Sequence, residues 1–115
     1  MICEMEQTKM IVEASKTALE NKKACDVVVK NVSEISSFTD YLIICSGTSR
    51  THVNALCDEV HEHLKKIGIL PDHIERDRTG SWILIDYESV IVHIFSEEAR
   101  DFYNLERKEK NNEKV

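Results

Sequence analysis

Asp40-Tyr41-Leu42-Ile43-Ile44-Cys45-Ser46-Gly47-Thr48-Ser49 is the stretch that decides the fold. Tyr41 to Cys45 is a short, contiguous apolar run bounded by polar residues, the pattern of a buried strand, here expected at the centre of a sheet. Ser46 to Ser49 then supplies turn chemistry, because a Ser or Thr oxygen can accept from an amide in the first turn of a helix. A helix is therefore predicted to begin beside Ser49. Val53, Leu56, Cys57, Val60, Leu64 and Ile67 give it one apolar stripe, Gly68 offers a left-handed C-cap, and Pro71 prevents continuation.

Working outward, Met10, Ile11, Ala14, Ala18 and Leu19 recur at helical spacing between Gln7 and Asn21, which predicts an earlier amphipathic helix. Asp26 to Val32 changes character: the contiguous, β-branched Val27, Val28 and Val29 predict a strand covered on both faces. Between this strand and Tyr41, Ile35 and Phe38 are expected to tuck under the sheet. Downstream, His73 to Arg76, Trp82 to Tyr87 and Val90 to Phe95 read as consecutive antiparallel strands, joined by Arg78-Thr79-Gly80-Ser81 and by the tight Glu88-Ser89 turn. Ser96 can cap a last helix with Glu97 and Glu98 in its first turn and Ala99, Phe102 and Tyr103 on its apolar face. Residues 106–115 are almost wholly charged or amide and are expected to form a flexible tail beyond a single domain over residues 1–105. The order helix, strand, strand, helix, three strands, helix predicts an α/β (α+β) domain with a mixed five-stranded sheet and helices packed on it.

Composition restricts the function. In 115 residues, 42% apolar and 31% charged, there is material for one core, and bulk disorder is excluded. Fifteen Lys and Arg against twenty-one Asp and Glu leave a net charge of −6. Such a surface disfavours direct nucleic-acid binding and favours a basic partner. The apolar runs are far shorter than the roughly twenty residues of a membrane span, and the amino terminus does not follow the pattern of a secretory signal, so a cytoplasmic location is expected. Cys3, Cys25, Cys45 and Cys57 contain no Cys-x-x-Cys pair and are expected to be free thiols.

No chemical constellation is complete. The Ser-Gly-Thr-Ser turn lies where a strand meets a helix amino terminus and could hold phosphate, but it has neither dinucleotide-binding glycine spacing nor a P-loop lysine, so helix capping is the preferred reading. Asp58 and Glu59 are adjacent on a helix and point apart, and Asp40 stands alone, so the paired carboxylates of metal-assisted nucleotidyl transfer are missing. Cys57, His61 and His63 lack local third and fourth ligands, which favours a core thiol beside solvated histidines. Cys45 and His93 sit inside apolar strands without an orienting acid. A binding module with no catalytic residue, cofactor or metal is the reading that remains.

In an extended strand Trp82, Leu84 and Asp86 share one face, while Ile83, Ile85 and Tyr87 share the other. Burial of Trp82 in the core is the alternative to exposure; Asp86 on the same face favours exposure and a partner contact.

Several separated motifs resemble the iojap family of ribosomal silencing factors. They are Asp40 to Ser49, Trp82-Ile83-Leu84-Ile85-Asp86-Tyr87, Val90-Ile91-Val92-His93-Ile94-Phe95 and Glu97 to Glu106, in that order and extending to Arg107; Ala24 to Val32 fits the family's first strand. The resemblance implies a protein without catalytic activity, on a fold similar to nucleotidyl transferases. It implies docking on large-subunit ribosomal protein number fourteen, which blocks subunit joining and represses translation when nutrients are scarce; in organelle relatives the contact is linked to large-subunit assembly. The docking surface carried over is Trp82, Ile83, Leu84 and Asp86, with Glu97, Asp101 and Tyr103 as acidic and aromatic neighbours. This chain departs from the family at Glu88-Ser89, where Gly-Asp is common, and at Lys108-Glu109, where Leu-Trp is frequent. A residual nucleotide-binding or nucleotidyl-transferring enzyme is the rival reading, and a homodimer covering the same sheet face is a further alternative.

Overall fold

The computed structural model describes residues 4–35 and 39–97. Along them run α1 (Glu4–Asn21), β1 (Cys25–Asn31), β2 (Tyr41–Gly47), α2 (Arg50–Lys66), β3 (His73–Arg76), β4 (Trp82–Asp86) and β5 (Val90–Ser96). The strands form one five-stranded sheet in the order β1-β2-β5-β4-β3. β2 and β5 are parallel, and every other neighbouring pair is antiparallel. A mixed five-stranded sheet carrying helices is thus the architecture predicted from the pattern. Among the described residues no helix is long and apolar enough to cross a membrane.

Three local expectations are corrected. β5, not β2, occupies the middle of the sheet, because two strands, β4 and β3, lie on its side of the parallel pair and only β1 lies on the side of β2. The valine-rich β1 is an edge strand and its valines are half-buried, not covered on both faces. β-Branched residues favour an extended backbone wherever the strand lies, so they do not report how many layers cover it. Its register slips between Cys25 and Val28, with Asp26 in the left-handed region, which twists this edge as a bulge does. Ile35 stands 83% exposed beside the turn after β1 and does not tuck under the sheet. Phe38, the helix expected after Ser96 and the tail over residues 106–115 lie outside the described residues.

The predicted strand-turn-helix unit forms as its residues dictate. The Ser49 side chain accepts the His52 amide at 3.1 Å, and its carbonyl accepts that of Val53 at 2.9 Å. At the other end Gly68, at φ +82°, closes α2: its amide reaches the Lys65 carbonyl and the Ile69 amide that of Leu64. Gly47 has a packing role. A Cβ there would lie 3.0 Å from both Cγ2 and the backbone nitrogen of Val53, so glycine lets the end of β2 approach α2.

Both helices lie on one side of the sheet. Ile11, Ala18 and Leu19 of α1 and Val53, Leu56, Cys57, Val60 and Leu64 of α2 pack against Ile43, Cys45, Ile83, Ile85, Val92 and Ile94. Truncating one such fully buried Leu or Ile typically costs about 2–5 kcal/mol, which makes this layer the main source of stability. On the other side a smaller cluster joins Ile44 and Phe95 to the half-buried Leu42 and Trp82.

Candidate docking surface

The pleat of β4 divides its residues as the alternation predicts. Ile83 and Ile85 are buried against the helices, and Trp82, Leu84 and Asp86 are half-buried on the opposite face. The register adds neighbours from adjacent strands. Trp82 stands beside Phe95, Leu84 beside His93 and Glu75, and Asp86 beside Ile91 and His73. Ile91 in turn pairs with Leu42, and His93 with Ile44. The result is an apolar band on the face away from α1 and α2, with carboxylates of Glu75 and Asp86 along its β3 edge.

At the Trp82 end the rings stack. Trp82 lies 6.2 Å from His93 and 6.1 Å from Phe95, centroid to centroid, and the His93 and Phe95 rings are 5.9 Å apart and within 5° of parallel. The indole Nε1–H donates to His93 Nδ1 at 3.4 Å, so this imidazole is neutral with its proton on Nε2. Burial pushes the His93 pKa down to about 4, which keeps it neutral. Phe95 is buried beneath the pair, so Trp82 is held on a packed base while part of it stays open to solvent. A preorganised aromatic of this kind gives contact area at small entropic cost.

The expected site residues separate accordingly. Trp82, Leu84 and Asp86 share the accessible face. Ile83 does not: it is 1% exposed in the core, because the strand's period of two turns it toward the helices. Glu97 is exposed just after β5, and Asp101 and Tyr103 lie outside the described residues. Sequence reasoning missed Leu42, Ile91 and His93 as half-buried parts of this surface, and Ile44 and Phe95 as the buried residues that support it. Their runs are apolar on both faces, so alternation is silent, and a strand register known beforehand would have been the signal that placed them.

The rival constellations are taken apart by the same geometry. Cys45 pairs with Ile94 in the core layer, whereas His93 is on the other face, so they cannot act as nucleophile and base. Cys57 is buried against Arg76, whose Nη2 lies 3.9 Å from the sulfur, and desolvation raises its pKa despite that cation. His63 is 3.1 Å from Glu59 and engaged with it. In the Ser-Gly-Thr-Ser turn the Thr48 amide donates to His52 Nδ1 at 2.9 Å, and His52 Nε2 contacts the Lys22 carbonyl at 2.6 Å. That amide is committed to tying the turn to the end of α1, and the side chain of Ser49 is committed to its cap, as the capping reading expects.

Known proteins resemble this chain over most of its length. The family described as "Ribosomal silencing factor during starvation" matches residues 5–114. The chain is 38% identical over 97 residues to the ribosomal silencing factor RsfS of Haemophilus influenzae, spanning 84% of this chain and 95% of that one. It is 32% identical over 92 residues to the mouse protein named mitochondrial assembly of ribosomal large subunit protein 1, covering 77% of this chain and 40% of the mouse protein. A crystal structure of a Chromobacterium violaceum protein superposes with a TM-score of 0.82 at 30% identity, covering 86% of this chain and 82% of the other. The carboxylate-rimmed apolar face is therefore carried by a member of the ribosomal silencing factor family.

Proposed function

We propose that this protein acts by steric exclusion. Its sheet face around Trp82 and Leu84 docks on the large ribosomal subunit, through ribosomal protein number fourteen, and blocks joining of the small subunit. Translation is repressed in this way when nutrients are limiting. The observation that carries the reading is the half-exposed Trp82 seated on His93 and Phe95, in an apolar face bordered by Asp86 and Glu75. An aromatic anchor within a charged rim is the usual anatomy of a protein contact, and it requires no catalytic group. Family membership supports the silencing role, and the name of the mouse relative supports a link to the large subunit. A net charge of −6 supports a basic partner, since complementary fields speed encounter and set register. Glu97, Asp101 and Tyr103 extend the proposed contact beyond β5.

Co-sedimentation with purified large and small subunits, together with a subunit-joining assay, tests the proposal. Binding to the large subunit with loss of joining is expected. Failure to bind either subunit would overturn it, and failure to bind isolated protein number fourteen would overturn the assigned partner. Self-association that saturates the same face, read by sedimentation over a range of concentrations, would point to a second copy as its occupant.

A further inference from the structure

His93 lies at the middle of the sheet face that carries Trp82. It is on the central strand β5, and its register partners are Leu84 of β4 and Ile44 of β2. Along β5, Ile91 and Phe95 are the next residues on the same face, since the period of a strand is two. These four neighbours are apolar, so the half-buried imidazole is a lone polar group among them. Its two nitrogens are not equivalent. The indole Nε1–H can only donate, so Nδ1, 3.4 Å away, accepts, and the ring proton is on Nε2. Burial disfavours the charged ring, which keeps Nδ1 free to accept at neutral pH. The stacked rings of Trp82 and Phe95, centred 6.2 and 5.9 Å from the imidazole, fix its orientation. Nε2–H has no partner among the described residues.

We propose that His93 is a specificity-determining residue of this face, its Nε2–H donating to a backbone carbonyl oxygen of the protein segment that covers Trp82 and Leu84. This role presupposes that the face docks as proposed above, and it names the chemistry the face selects. A segment laid over β5 strips water from Nε2–H, and a donor left there without an acceptor costs free energy, so a segment in the wrong register is rejected. An anionic acceptor is disfavoured at this point. Glu75 pairs with Leu84 and Asp86 with Ile91, both beside His93, and two carboxylates at the border would repel a phosphate or a third carboxylate. The net charge of −6 acts in the same direction. A neutral carbonyl meets no such penalty, and it leaves the side chains of the partner segment free to pack on Leu84, Ile91 and Leu42.

Binding kinetics of the full chain on purified large subunits test the assignment, with variants that separate the two nitrogens. His93→Phe keeps a ring for Trp82 to stack on and removes the donor. His93→Asn keeps an acceptor near Nδ1 but does not reach Nε2, whereas His93→Gln places an amide N–H near Nε2. His93→Phe and His93→Asn should bind at least ~10-fold more weakly, and His93→Gln should recover to within about threefold of the parent. Circular dichroism checks that each variant is folded. In the parent, ¹⁵N spectra of labelled histidine should place the proton on Nε2, and its signal should shift and become protected from exchange in the complex with isolated protein number fourteen. A proton on Nδ1, an unshifted Nε2–H signal in that complex, or binding within twofold of the parent in both His93→Phe and His93→Asn would overturn the role of His93. The docking reading survives such a result if Trp82→Ala still weakens binding; if the parent binds no large subunit, both fall.

Discussion

Trp82 donates its indole N–H to Nδ1 of His93 on the neighbouring strand, with ring centroids 6.2 Å apart. The contact requires a neutral imidazole, and burial holds the His93 pKa at about 4, below its ordinary 6.5. The unfolded chain therefore binds the extra proton first as pH falls. The associated stability is complete above pH 6.5 and is lost progressively between about 6.5 and 4, by up to about 3 kcal/mol. Urea titrations at pH 7.5 and 5 should show a larger loss for the parent than for His93→Gln, and equal losses would refute the assignment.

For Trp82→Ala we expect affinity for the large subunit to fall at least ~30-fold, or about 2 kcal/mol, while the chain stays folded on its helix-side core. Asp86→Lys should slow association and reduce its sensitivity to salt. The measurement is binding kinetics against purified large subunits at two ionic strengths; parent-like rates in both variants would remove this face as the docking surface.

Gly47→Ala should destabilise the fold by about 1–3 kcal/mol, because its Cβ would meet Val53 at 3.0 Å and one of the crowded atoms is backbone nitrogen. Adding Val53→Ala relieves only the side-chain half of that contact. Thermal melts of the single and double variants should show that the second change does not restore the parent Tm.

Glu88 lies at φ +68° in the turn between β4 and β5, a left-handed conformation that penalises any residue with a Cβ. Glu88→Gly should stabilise the protein by about 0.5–1 kcal/mol, the gain being reduced by the greater freedom of glycine in the unfolded chain. A higher urea midpoint with an unchanged slope is the expected result, and an unchanged or lower midpoint would show that the strain is relieved elsewhere.

Much of this protein is already determined by its sequence. The Ser49 cap, the Gly68 stop, the stripe from Val53 to Leu64 and the alternation of Trp82-Ile83-Leu84-Ile85-Asp86 each depend on contacts within a few residues, and periodicity reports such contacts directly. The same local rule shows why Ile83 belongs to the core although its neighbours face outward. Tertiary structure decided what local pattern leaves open: that the valines of β1 sit at an edge, that β5 is central, and that Phe95 and His93 lie beneath Trp82. It also brought Asp72 and His73 to Asp86 across a strand pair. Strand order and register are set by pairing between segments distant in the chain, where every contiguous apolar run fits several positions equally well, and only the packing of the whole sheet against α1 and α2 selects one.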